Sequence, residues 1–89
     1  MLEAQKLDGV RASLAAENPR RALAELESYD RVVRNGGLMK HEASLLRVEA
    51  LSRAGRRTDA RALAYTLRDD PTFQDYQKRL DGLLADAGL

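Results

Sequence analysis

The sequence contains no cysteine and no tryptophan, and only one histidine, one phenylalanine and two prolines. Without cysteine there is no disulfide, no thiolate nucleophile and none of the common zinc sites, and nothing marks the redox compartment. Charge of one sign is lacking too: 15 basic residues against 14 acidic ones leave +1, so no long-range field draws the chain to nucleic acid or to an anionic membrane. No apolar run approaches the ~18 residues of a membrane span, and the start MLEAQKLDG has neither the basic opening nor the apolar centre of a signal peptide. No stretch alternates with a period of two over strand length, which leaves no signal for a sheet, and no linker-like or low-complexity tract divides the chain.

What remains is mostly leucine, alanine and charge: 44% of the residues are apolar and 33% charged, the composition of a soluble helical protein. Eighty-nine residues supply one core but not a core plus a deep catalytic cleft, so residues 1–89 are expected to form a single domain, whole or cut from a larger protein. Twelve arginines against three lysines, with abundant alanine, suggest a GC-rich bacterial source. The compartment is left open between the cytoplasm and the periplasmic part of a larger envelope protein.

Helical spacing recurs along the whole chain. Leu7, Val10 and Leu14 mark a first helix over residues 2–16, in which Gly9 costs roughly 1 kcal/mol against Ala and signals either a frayed turn or a close helix contact. Asn18-Pro19 is a start signal, cap followed by a first-turn proline. The second helix then carries Ala22, Leu23, Leu26, Tyr29 and Val33 on one side, with Glu27 and Arg31, and Asp30 and Arg34, spaced as ion pairs, until Asn35-Gly36-Gly37 stops it. A third helix is expected from about Leu38 to Ala54 and a fourth from about Thr58, as its cap, to Arg68. Asp69-Asp70-Pro71 then starts a fifth, with Phe73, Tyr76, Leu80, Leu83 and Leu84 in one stripe up to Ala87-Gly88. The reading is all-α, about five antiparallel helices.

The most informative stretch is Leu45 to Leu67. Leu45, Val48 and Leu51 form one stripe, Gly55 breaks it, and Ala60, Leu63, Ala64 and Leu67 form the next, so two antiparallel helices meet across small residues. Ala22 and Ala60 stand 38 residues apart, in the range of a helical solenoid. The run Gly55-Arg56-Arg57-Thr58-Asp59-Ala60, with Leu51 before it and Ala64 and Pro71 after it, resembles the turn of a tetratricopeptide repeat. The likeness covers about Leu14 to Leu84 and is similar to the divergent C-terminal segments of bacterial envelope and regulatory proteins. Asp59 stands where the family usually has Glu, Ser44 where it has a large aromatic and Val48 where it has Gly. The resemblance implies helical hairpins plus a C-terminal capping helix, and a groove lined by the first helix of each pair: Leu7, Arg11 and Leu14, then Glu42, Leu45, Glu49 and Arg53, then Lys78. It implies a non-catalytic protein-interaction or scaffolding module, with Arg11, Arg53 and Lys78 receiving an acidic peptide or helix. The Lys and Asn pair that clamps C-terminal carboxylates in chaperone adaptors is lacking.

No catalytic, cofactor or metal constellation accompanies this. His41 has no second ligand or nucleophile beside it; Ser13, Ser28, Ser44 and Ser52 lack a nucleophile elbow; and Asp69, Asp70 and Asp75 lack the spacing of a calcium loop. The doublets Arg20-Arg21 and Arg56-Arg57, with Arg53 and Arg61, would suit phosphate contacts of a helix-turn-helix, but Arg61 falls where that motif needs an apolar residue. Nucleic acid is therefore the third reading. The second is self-association into a homodimer through Phe73, Tyr76, Leu80, Leu83 and Leu84, a stripe that otherwise folds back as a cap.

Overall fold

The computed structural model describes residues 2–33 and 39–88. They form α1 (Leu2–Ala15), α2 (Pro19–Val33), α3 (Lys40–Arg53), α4 (Arg57–Arg68), a 3₁₀ segment (Pro71–Tyr76) and α5 (Gln77–Ala87), with no strand among them. The expected stop at Asn35-Gly36-Gly37, the start at Leu38 and the Asp30–Arg34 pair lie outside the described residues. Each helix packs against its successor, and α3 also touches α1 and α5. The result is two layers, α1, α3 and α5 in one and α2 and α4 in the other. The short dimension of 17 Å suits two helices stacked at the usual 8–10 Å.

The two hairpins repeat each other. Adding 38 to the bounds of α1 gives those of α3, and adding 38 to the start of α2 gives that of α4. Their turns close with the same bonds: Glu17 N–H donates to the Leu14 carbonyl and Asn18 N–H to that of Ser13, as Gly55 N–H donates to Ser52 and Arg56 N–H to Leu51. This is the paired bond of a helix end with one left-handed residue. Gly55 holds that place at φ 80°, and Glu17 holds it at φ 57°.

Helix starts differ more. The Asn18 side chain accepts from the Arg21 N–H at 3.3 Å, the cap its sequence announces. Thr58 is not the cap of α4; the helix begins one residue earlier, behind Arg56, without a side-chain cap. Asp70 caps the 3₁₀ segment, accepting from the Thr72 N–H at 2.9 Å and its hydroxyl at 2.7 Å. Those bonds hold the Asp70 carboxyl below its ordinary value. Phe73 and Tyr76 therefore sit in tighter winding ahead of α5, not in its first turns. The chain ends its last helix at Gly88, φ 70°, whose carbonyl accepts from the Arg57 guanidinium at 2.8 Å.

Two apolar clusters share α3. Leu7, Val10, Leu14, Leu26 and Tyr29 meet Ala43, Leu46 and Ala50 on one side of it, while Leu45 and Val48 meet Ala64, Leu67, Phe73 and Leu80 on another. A helix with apolar residues on two sides must be covered on both, and α3 is, by α1 and α2 on one side and by α4, the 3₁₀ segment and α5 on the other. Gly9 marks a close contact: a Cβ there would come within 2.9 Å of the Glu25 carboxylate. The other oxygen of Glu25 accepts from Ser13 and from Arg21, both at 3.1 Å. Glu3 ties the α2–α3 side together, accepting from the Tyr29 hydroxyl at 2.8 Å and the Met39 N–H at 2.7 Å. Burial, and then the neighbouring Glu3 carboxylate, push the Tyr29 phenol above its ordinary value.

Candidate functional site

Helices α1, α3 and α5 run in the same direction, because each is separated from the next by one antiparallel helix. Their common face is furrowed. Between α3 and α5 lies a depression of about 350 Å³, bounded by Val48, Ser52 and Arg53 on one side and Leu83, Asp86 and Ala87 on the other. Between α1 and α3 lies one of about 340 Å³, bounded by Arg11, Leu14 and Ala15 and by Leu46 and Arg53. A third, of about 270 Å³, reaches Arg79 and Gly82 across Leu45 and Leu46. Glu49 borders all three, so they adjoin one another along a furrowed groove face that crosses α3.

Helical spacing explains who lines it. Glu42, Leu46, Glu49 and Arg53 follow one another at four, three and four residues and share one face of α3. Leu46 and the half-buried Leu83 make an apolar floor, and charges stand around it. Arg53 pairs with Glu49 at 2.9 Å and donates to the Leu14 carbonyl at 3.1 Å, a second donor beside the Glu17 N–H at the end of α1.

At the other end of that face, Glu42 joins all three helices. Both guanidinium nitrogens of Arg79 donate to its two carboxylate oxygens, one at 3.0 Å, and Arg11 reaches the same carboxylate from α1 at 3.4 Å. Arg11 also pairs with Asp8 at 3.1 Å. Only 19% of the Glu42 side chain is exposed, against 57% for Arg79. The Arg79 bonds hold the Glu42 carboxyl below its ordinary value against a smaller opposing effect of burial, and Arg11 adds to the lowering. Glu42 in turn raises the Arg79 guanidinium.

Of the residues expected at a groove, Arg11, Glu42, Glu49 and Arg53 come together on this face. Leu7 is core, 0% exposed, and Leu45 at 2% and Leu14 at 4% each border a depression by an edge only. Lys78 is exposed and borders none of the three depressions; Arg79, one residue on, stands there instead. Arg79, Leu83 and Asp86 follow at four and three residues, a signal present in the sequence once α5 is started at Gln77. Carrying an α-helical phase through the 3₁₀ segment hides it, because that winding turns ~120° per residue rather than ~100°.

The stripe expected to favour self-association folds inward. Phe73 and Leu80 are 0% exposed, while Tyr76, Leu83 and Leu84 are half-buried against them. His41 stacks edge-on against Phe73, with 5.1 Å between ring centroids, and lies 5.2 Å from Tyr76, so it packs the start of α3 against the 3₁₀ segment. Ser13, Ser28 and Ser44 bond to Glu25, Lys6 and the Lys40 carbonyl. Among the described residues no three His, Asp or Glu side chains gather where they could hold a metal, and no helix is long and apolar enough to cross a membrane. Comparison with protein-family models, with curated proteins and with solved structures gives no match.

Proposed function

We propose that the chain is a non-catalytic, tetratricopeptide-like module of a bacterial system that holds a segment of another protein in the groove across α1, α3 and α5. The observation that carries this reading is the adjacency of those three depressions, an apolar floor at Leu46 and Leu83 within a rim of both charges. Such a surface offers burial to an apolar anchor and orientation to its polar flanks. The 38-residue repeat of the hairpins supports a helical-repeat architecture.

The partner is not selected by cations alone. Arg11 and Arg53 already hold carboxylates and Lys78 stands aside, so a purely acidic peptide would have to displace internal pairs. An apolar anchor with mixed flanks fits better. Selection of displayed random peptides against the immobilised chain tests this. Gly82 borders the groove with nothing within 4 Å of an added Cβ, so Gly82→Arg fills the groove without removing a core contact. Selected peptides should bind this variant at least tenfold more weakly. Peptides indifferent to it would overturn the reading, as would a molar mass of a dimer throughout a dilution series of the free chain.

A further inference from the structure

We propose a second interaction surface on the opposite layer, the outer face of α4, where Arg61, Tyr65 and Arg68 form a docking stripe for an acidic helix of a partner protein. Tyr65 is 48% exposed, one of two large apolar side chains so placed among the described residues. Arg61 and Arg68 lie four residues before it and three after it, on the same side of the helix. Ala62 and Thr66 beside them are small, and the Thr66 hydroxyl is turned back to the Ala62 carbonyl at 3.1 Å, which leaves room for close approach.

The second observation concerns arginine usage. Arg11, Arg21, Arg47, Arg53, Arg56, Arg57 and Arg79 each hold a carboxylate or a carbonyl within the chain. Among the described residues Arg20, Arg31, Arg61 and Arg68 hold neither, and of these Arg61 and Arg68 flank the exposed tyrosine. Tyr and Arg are the side chains that binding hot spots use most, because one buries area at small entropic cost and the other forks onto carboxylates. Seven helical residues separate the two guanidinium-bearing positions by about 10 Å along the axis. A partner helix with carboxylates two turns apart and an apolar residue between them presents the complementary spacing. The nearby acids Asp59 and Asp70 are engaged by Arg56 and Thr72, and Asp69 at the C-terminal end of α4 favours a partner whose carboxylates keep to the Arg61 and Arg68 side. No residue of α4 borders the groove, so the two surfaces can be occupied at once, and this proposal stands or falls apart from the groove reading.

The probe is an alanine-based helical peptide with two glutamates seven residues apart and a leucine between them, titrated into ¹⁵N-labelled protein, beside a copy with both glutamates changed to lysine. Saturable shifts confined to residues 57–69, at least tenfold weaker affinity for Arg61→Glu with Arg68→Glu, and a similar loss for Tyr65→Ala are expected. All three residues are exposed, so the variants should keep the parent's circular dichroism. Absence of saturable shifts in α4, or equal affinity for the lysine copy, overturns the proposal. So does preferential, steeply salt-dependent binding of a short DNA duplex to the same residues.

Discussion

The first and second hairpins share bounds and turn bonds but fill the space between their helices differently. Leu7 and Val10 of α1 correspond to Leu45 and Val48 of α3, and Ala22 corresponds to Ala60, all buried. Where α2 has Leu26 and Tyr29, α4 has Ala64 and Leu67. The smaller side chains of the second hairpin leave room that Phe73 and Leu80 occupy, both 0% exposed. The first hairpin is closed by its own residues together with α3, whereas the second needs the C-terminal segment. Between α1 and α2 there is also a polar contact, Ser13 with Glu25, at positions where the second hairpin has Leu51 and Leu63. One backbone plan thus serves two chemistries, and the difference explains why the chain continues past α4.

Exchanging residues between the hairpins tests that account. Leu26→Ala gives the first hairpin the small residue of the second without any equivalent of Phe73, and should cost about 3 kcal/mol in urea unfolding. The reverse change, Ala64→Leu, should cost about 1–3 kcal/mol by crowding the space that Phe73 and Leu80 fill. A smaller loss for Leu26→Ala than for Ala64→Leu would break the comparison.

The turns come next. Glu17→Gly should stabilise by about 1 kcal/mol, since a non-glycine residue in the left-handed region carries a penalty of that order, and Gly55→Ala should cost about the same. Nothing lies within 4 Å of a Cβ at Gly55, so the effect reports backbone conformation alone. Asn18→Ala should cost about 1 kcal/mol by removing the cap of α2, whereas Arg56→Ala at the equivalent place removes no cap and should move the midpoint less.

The smallest effect is expected at Glu42. Its folded-state pKa lies below the ordinary value of 4.5, so its contribution to stability is fully present above that value and is lost as pH falls through the lowered one. Arg79 is more than half exposed and solvent screens the pair, so Glu42→Gln should cost about 1 kcal/mol or less at pH 7. The gap between parent and variant should close as pH falls below 4.5 and through the lowered value, and shrink in 1 M salt, as parallel denaturation series would show. A gap that persists in acid would mean that Glu42 acts through packing instead.

Helix number and order were legible in the residues because apolar spacing, Asn18-Pro19 and Gly55 each have a local cause. The winding after Pro71 was not. A 3₁₀ segment and the first turns of an α-helix share start signals, and only the packing of Phe73 against His41 and Leu80 decides between them. The groove was legible on α1 and α3, where Arg11, Glu42, Glu49 and Arg53 keep helical phase, and was misplaced on α5, where the phase is reset. Which charges pair across helices depends on side-chain reach, so Glu42 with Arg79 had no signature in spacing; nor did Arg47 with Asp30, at 2.7 Å. The expected Glu27–Arg31 pair is not formed, and both side chains are exposed.

Because α3 contributes to both clusters, neither hairpin owns a complete core. A chain of independent hairpins could melt from one end and leave the other intact, as long repeat arrays do. Here the loss of either neighbour exposes leucines of the central helix, and the cost of fraying one side is charged to the other. Amide protons of α3 should therefore exchange with solvent only through whole-molecule opening, while those of α1 and α5 retain routes of their own.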